Sequence, residues 1–313
     1  MAGHLKAVRR TGGQLLLGAV TIAAVITLTF ALLYLVPGDA ARSIAGPRAT
    51  PELLEHIREG LQLHAPVWEQ YWHYAKGVAT GDLGDSYQRG MPVGTLIADR
   101  LPATLLLAAA ALVVEIAVGG ALGAWEALRG RRLRSVLTAN IALLSTPAFA
   151  LGHLLLLGFG YGLGWFPVSN GADAAHLVLP ALALGLTGMP YYSSAVRDAL
   201  AATLASPHIR TAMAKGLPRR TVLRRHALRC ALPPVISMAG MDIAIFASNV
   251  VFVENIFGWP GIGRLQATAF ADQDRPLLMG TVIVAAVLVV IGNLLADTLR
   301  QLLDPRSRQD LPA

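Results

Sequence analysis

A single cysteine, Cys230, stands among 313 residues, which excludes an internal disulfide and any cysteine-built metal cluster. Charged side chains are scarce too. They make up 14% of the chain against 54% hydrophobic, too few to cover a soluble domain of ordinary composition. The histidines (His4, His56, His64, His73, His153, His176, His208 and His226) never fall into H-E-x-x-H or a comparable cluster, so metal-assisted hydrolysis has no ligand set. No G-x-x-x-x-G-K-[ST] phosphate loop occurs; at Lys215-Gly216 the order is wrong and the upstream glycine is missing. The chain is therefore not expected to hydrolyse ATP by itself or to hold a cofactor. A membrane-embedded enzyme would need a nucleophile with a base in reach, and none is evident.

What is present is a basic, strongly apolar chain with net charge +7, pI near 10.0 and mean hydropathy +0.54. In a soluble protein that charge would point to nucleic acid. Here no basic motif is interleaved with aromatics, and membrane proteins gather Lys and Arg in their cytoplasmic loops for topological reasons. Nucleic acid is not an expected partner; a lipid membrane is.

Roughly twenty apolar residues cross the hydrocarbon core as a helix. About six runs of that length occur, at 12–36, 102–125, 136–163, 175–196, 233–254 and 277–299, so the fold class expected is all-α, a polytopic membrane protein. The fourth run carries Pro180 and Pro190, tolerable in a membrane helix whose neighbours satisfy the freed carbonyls. The first run follows Arg9-Arg10 and is longer than a signal-peptide core, so it reads as a retained span, with cleavage as the alternative. Placing the N-terminus inside puts Lys6, Arg9, Arg10, the cluster Arg129, Arg131, Arg132 and Arg134, the segment 197–232, and Arg300, Arg306 and Arg308 on the cytoplasmic side. The opposite connections hold Glu52, Glu55, Glu59, Glu69, Asp82, Asp85, Asp99, Asp173, Asp272 and Asp274 beside fewer bases. Both termini are then cytoplasmic, and the whole chain, 1–313, is one membrane domain.

The outer connection 37–100 has helical patterning of its own, with Thr50-Pro51 suited to start a helix and Trp68, Tyr71, Trp72 and Tyr74 suited to a headgroup-level aromatic belt. Ionisable residues inside spans are costly and mark paths, relays or buried contacts. Glu115 and Asp242 lie within spans and Glu254 at an outer boundary; they are the candidate path or gate residues, with helix packing or a subunit interface as the open alternative. Asp297 is placed to pair with Arg300. Ser145-Thr-Pro147 and Ser193-Ser194 read as hydrogen-bonding glue between helices. In Glu254 to Gly263, Pro260-Gly261 suggests a type II turn with Phe257 and Trp259 at the interface.

The most informative stretch runs from Thr211 to Pro234, basic and helix-forming between two apolar runs. Gly216 followed by Pro218 predicts two short helices joined by a tight turn. This stretch resembles the cytoplasmic EAA loop of the inner-membrane permease subunits of bacterial ABC importers, in particular the dipeptide, oligopeptide and nickel branch. Arg210 to Leu217 reproduces that branch's Arg-Thr-Ala-x-Ala-Lys-Gly-Leu, with Thr211-Ala212 where the broader superfamily has Glu-Ala. Val36-Pro-Gly-Asp39, Gly81-Asp-Leu-Gly84, Leu101-Pro-Ala-Thr104, Glu254-x-x-Phe257-x-x-Pro260-Gly261-x-Gly263 and Asp304-Pro-Arg306 follow in family order. His208, where peptide permeases usually have Tyr, is a departure.

The resemblance implies the type I importer permease fold and a multi-pass location in the bacterial inner membrane. It also implies three kinds of protein partner: a second, homologous permease chain, two cytoplasmic ATPase subunits that bind the ATP and Mg, and an extracytoplasmic substrate-binding protein. Coupling to the ATPases would fall on the 207–233 loop, with Arg210, Thr211, Ala212, Ala214, Lys215, Gly216 and Leu217 at the contact. The substrates implied are di- or oligopeptides or nickel complexes. The rival reading is a self-sufficient secondary transporter driven through Asp242 or Glu115.

Overall fold

The computed structural model describes residues 2–35, 49–52, 54–55, 65–130, 133–168, 171–223 and 227–303. Val36–Asp39, His56, His64, Arg131, Arg132, His226, Asp304–Arg306 and Arg308, all singled out from the sequence, lie outside them. The described residues are almost wholly helical, and the only β feature among them is one isolated bridge between Asp85 and Pro92. The helices are α1 (Ala2–Leu35), α2 (Val67–Thr80), α3 (Val93–Arg129), α4 (Arg134–Ser145), α5 (Ala148–Gly162), α6 (Ala174–Leu204), α7 (Pro207–Ala214), α8 (Arg219–Val222), α9 (Leu228–Phe257), α10 (Ile262–Ala271) and α11 (Arg275–Leu303).

Four of them, within α1, α3, α6 and α11, are long and apolar enough to cross a membrane, and the bent pair α4–α5 makes five if it is one span. The thirty-residue α9, which contains the expected span 233–254, is also of crossing length. Leu15, Leu16, Leu17, Val20, Leu28 and Leu32 of α1 are all exposed, as expected for a helix that meets lipid. Within the expected span 136–163 the chain bends sharply: α4 and α5 meet at 109°. Pro147 cannot donate to the helical ladder and pushes Thr146 into an extended conformation (φ −101°, ψ 118°), so the helix must stop and restart there. Helix α3, which carries the second expected span, also starts earlier than its apolar run, at Val93, and holds Pro102 inside it.

Two compact units divide the chain: the described residues of Met1–Thr104 with Pro260–Val290, and those of Leu105–Trp259 with Ile291–Ala313. In the first unit, Val93, Leu96 and Ile97 of α3 pack with Ile262, Leu265 and Ala269 of α10 and Leu277 of α11. The turn 81–92 rests on this core through Leu83. Its anchor is Asp274, almost fully buried, which accepts hydrogen bonds from Ser86 Oγ (2.5 Å), Tyr87 N (3.1 Å), Gln88 N (3.3 Å) and Leu277 N (3.4 Å). One carboxylate thus ties the turn and caps α11. On α2, Tyr71 bonds Thr27 of α1 (2.8 Å) and meets Phe30 edge-on at 5.4 Å, while Trp68 and Trp72 stay exposed.

In the second unit α6 is central, packing on α9, on the C-terminal part of α3, and on α4 and α5. Asp173 caps its N-terminus, accepting from the His176 amide (3.0 Å) and bonding His176 Nδ1 (2.6 Å). The His176 amide and then its ring hold this carboxyl below the usual carboxylate range. A folded value below the unfolded one means that the cap's contribution is present above the ordinary carboxylate range and is lost only as pH falls through the depressed value.

Glycines set the α3–α6 distance. A Cβ on Gly119 would lie 2.5 Å from the Met189 carbonyl oxygen, and one on Gly185 would lie 2.6 Å from that of Ala111. Small residues four apart let membrane helices approach backbone to backbone, and Gly119-x-x-x-Gly123 is that pattern.

Candidate functional site

At Glu115 the α3 helix changes to a π-helical segment, Glu115–Gly119, before resuming at Gly120. One inserted residue turns the following face by roughly 100° about the axis, and such bulges recur at functional sites. Here the change lets Glu115 point inward while Gly119 and Gly123 still face α6. Glu115 is 2% exposed and its Oε1 fills the space over Gly188, where a Cβ would be only 1.8 Å away.

Beside the Glu115 carboxyl lies that of Asp242, from the middle of α9. The Tyr192 hydroxyl, from α6, donates to Asp242 Oδ2. Three helices therefore bring two acidic groups and a phenol together at a buried point, with Glu115 Oε2 and the neighbouring Ser193 Oγ fully buried and, among the described residues, without a hydrogen-bond partner. Two carboxyl groups so placed can bind a cation, pass a proton, or hold three helices in register. Tyr192→Phe keeps the ring packing but leaves an Asp242 oxygen without its donor. The expected loss is about 1–3 kcal/mol, read as a lower melting temperature of the purified protein.

Sequence reasoning found Glu115 and Asp242 but not that they meet, and it missed Tyr192. Its only signal was a tyrosine amid the small residues of an apolar run. Glu254, the third candidate, does not join them: it lies twelve residues further along α9, about 18 Å by helical rise. It is fully buried next to the α9 terminus, where the Trp259 amide bonds the Glu254 carbonyl (2.9 Å). The expected type II turn at Pro260-Gly261 is not formed, since Gly261 is extended (φ −101°, ψ −173°). Gly258 (φ +64°) supplies the left-handed residue instead and closes α9, which swings Trp259 into the protein rather than to an interface.

The segment after α6 forms the two short helices α7 and α8, with Pro207 opening α7. Gly216 at φ +78° makes the turn, its amide bonding the Met213 carbonyl (3.0 Å). Ile209 and Val222 are fully buried and fasten one side of this hairpin. Arg210, Thr211, Ala214, Lys215, Gly216 and Leu217 face outward, and Ala212 is half-buried. An apolar cluster of Leu223, Ala227 and Val235 with Tyr192, Val196 and Leu200 of α6 runs from the segment back to the carboxyl pair.

Several helices long and apolar enough to cross a bilayer, packed around buried acidic groups, define the class, a polytopic membrane protein. Residues 115–309 match the family described as binding-protein-dependent transport system inner membrane component, and residues 7–108 match its N-terminal region. The chain belongs to that family, the permeases of ABC importers. It is similar to the glutathione transport system permease protein GsiC of Escherichia coli strain K12, at 34% identity over 296 residues, covering 94% of this chain and 97% of the relative. GsiC of Salmonella choleraesuis strain SC-B67 matches to the same extent. Membership makes this chain a non-catalytic membrane subunit that works with an ATPase and a binding protein.

Proposed function

We propose that the chain is one half of the translocation path of an importer for peptide-type solutes, in the branch that handles dipeptides, oligopeptides, glutathione-like tripeptides or nickel complexes. The relatives' glutathione transport supports a small peptide as substrate. A second, similar permease chain completes the path, two ATPase subunits bind ATP and Mg on the cytoplasmic side, and both termini lie on that side. The distribution of arginine supports this orientation.

The observation that carries the reading is the exposed α7–α8 hairpin. A ligand-driven machine needs an element that meets the motor and is fastened to the part that moves. Thr211, Ala214, Lys215, Gly216 and Leu217 offer the outward surface, and Ile209, Val222 and the cluster up to Tyr192 offer the fastening. Glu115 and Asp242 are the proposed path residues, with Glu254 as an outer gate element. Family membership sets aside the self-sufficient secondary transporter.

The test is co-purification with the ATPase from detergent. Gly216→Pro forces φ near −65° where the turn needs +78°, and Ala212→Glu places a bulky charge at the approach surface. Both are expected to lose the ATPase while the membrane fold, followed by helical content and melting, persists. Retention of the ATPase at wild-type level by both variants would remove the hairpin from the coupling role.

A further inference from the structure

The first unit holds a cavity of about 320 Å³ that no role described so far uses. Arg89, Arg100 and Arg264 line it, together with Thr268 and the Pro260-Gly261 start of α10. Among the described residues the lining holds no acid, and neither the Arg89 nor the Arg100 guanidinium has an ion-pair or hydrogen-bond partner.

Each arginine comes from a separately fixed element. Arg89 sits in the turn that Asp274 clamps, its own amide bonded to Ser86 Oγ (3.1 Å). Arg100 projects from α3 beside the packed Ile97 and Leu101. Arg264 and Thr268 are one turn apart on α10, whose Ile262 amide is held by Thr104 Oγ1 (2.8 Å) and whose Ile262 and Leu265 are core.

The Arg89 and Arg100 guanidinium groups share one small space with no partner of their own among the described residues, and the resulting repulsion is a cost that an anion between them would reverse. The start of α10 adds partial positive charge. In the orientation proposed above, the cavity is on the side where arginine is the less favoured residue. Planar forks of this kind match a carboxylate with paired hydrogen bonds. The volume is at the lower end of ligand pockets, room for one charged group rather than a whole peptide.

From these observations we infer that the cavity is a subsite for a carboxylate of the small peptide-type solute on the outer side, an inference that rests on the importer reading. The subsite holds the substrate's charged end as the solute passes from binding protein to path.

The test uses the full chain with its sister permease and ATPases, in nanodiscs of phosphatidylcholine and without binding protein. It is titrated calorimetrically with glutathione and with glutathione dimethyl ester. The free tripeptide is expected to bind about tenfold or more tighter than the ester, and high salt is expected to weaken it. Arg100→Gln combined with Arg264→Gln is expected to lose about tenfold or more. Arg100→Lys, which keeps the charge without the fork, should fall between and guards against misfolding. Equal binding of the two probes, or unchanged binding by the glutamine variant still assembled with its partners, overturns the proposal. Loss of tripeptide binding on changing the lipid to phosphatidylglycerol, at a salt concentration that screens the surface charge, assigns the cavity to an anionic lipid headgroup and overturns it as well. Parallel uptake into proteoliposomes with binding protein separates the two readings. No peptide import by the wild type sinks the importer reading, whereas import unchanged in the glutamine variant sinks the subsite alone.

Discussion

Gly123→Ala is expected to force α3 and α6 apart and to destabilise the second unit by about 3 kcal/mol or more. The added methyl would stand 2.2 Å from the Ser193 carbonyl oxygen and 3.0 Å from the Arg197 amide nitrogen. Both neighbours are backbone atoms of a helix, so no rotamer change relieves the clash. Carbon rests roughly 3.5 Å from such atoms, and the helices would have to separate by about 1 Å. That shift passes through Ser193 and Tyr192 to the Asp242 hydrogen bond, so transport should fall together with stability. Gly120 is the control within the same turn, because nothing stands within 4 Å of its Cβ position. Gly120→Ala should leave melting unchanged or raise it by up to about 1 kcal/mol, since alanine is the better helix former. Equal melting shifts for the two variants would show that close approach does not set this contact.

Asp274→Ala is expected to release the turn 81–92, at a cost of about 3 kcal/mol in the first unit. The carboxylate accepts from a hydroxyl and three backbone amides, and without it these donors are left near the protein interior with no acceptor. Asp274→Asn keeps one acceptor oxygen and should lose about half as much. Hydrogen exchange gives the sharper readout: the Tyr87, Gln88 and Leu277 amides should exchange much faster in the alanine variant, while the α6 amides stay protected. Uniform protection across these sites would mean that Asp274 does not hold the turn. Because Arg89 belongs to that turn, the same variant should also weaken the carboxylate probe.

Much of the architecture was legible because a bilayer makes a local demand. Each run of apolar residues must be long enough to cross and must satisfy its own backbone, so the runs could be marked with no knowledge of their neighbours, and four of the six fall in helices long and apolar enough to cross. Gly216 and Pro218 were equally readable, since a left-handed turn and a helix start are set by one or two residues. The break at Thr146-Pro147 was written in the sequence too, but Ser145 and Pro147 read as helix glue. The turn at the end of α9 was placed three residues late: Pro260-Gly261 carries the commoner signature, yet helix closure selected Gly258.

The sequence by itself determined that this chain is a nearly all-helical membrane protein with several apolar spans, and it marked Glu115 and Asp242 as ionisable groups that are costly inside a span. Only the tertiary structure decided what those groups meet. Tyr192 is fifty residues from Asp242, and nothing local to either announces the other. Gly123 is one small residue among many until the Ser193 backbone is found against it. Arg89, Arg100 and Arg264 are three separate surface charges until the Asp274 clamp and the α10 core bring them around one cavity. The physical reason is common to all three. Crossing a bilayer is a property of a segment, whereas a hydrogen bond, a backbone contact or a charged pocket is a property of pairs, and pairs distant in sequence are chosen by packing.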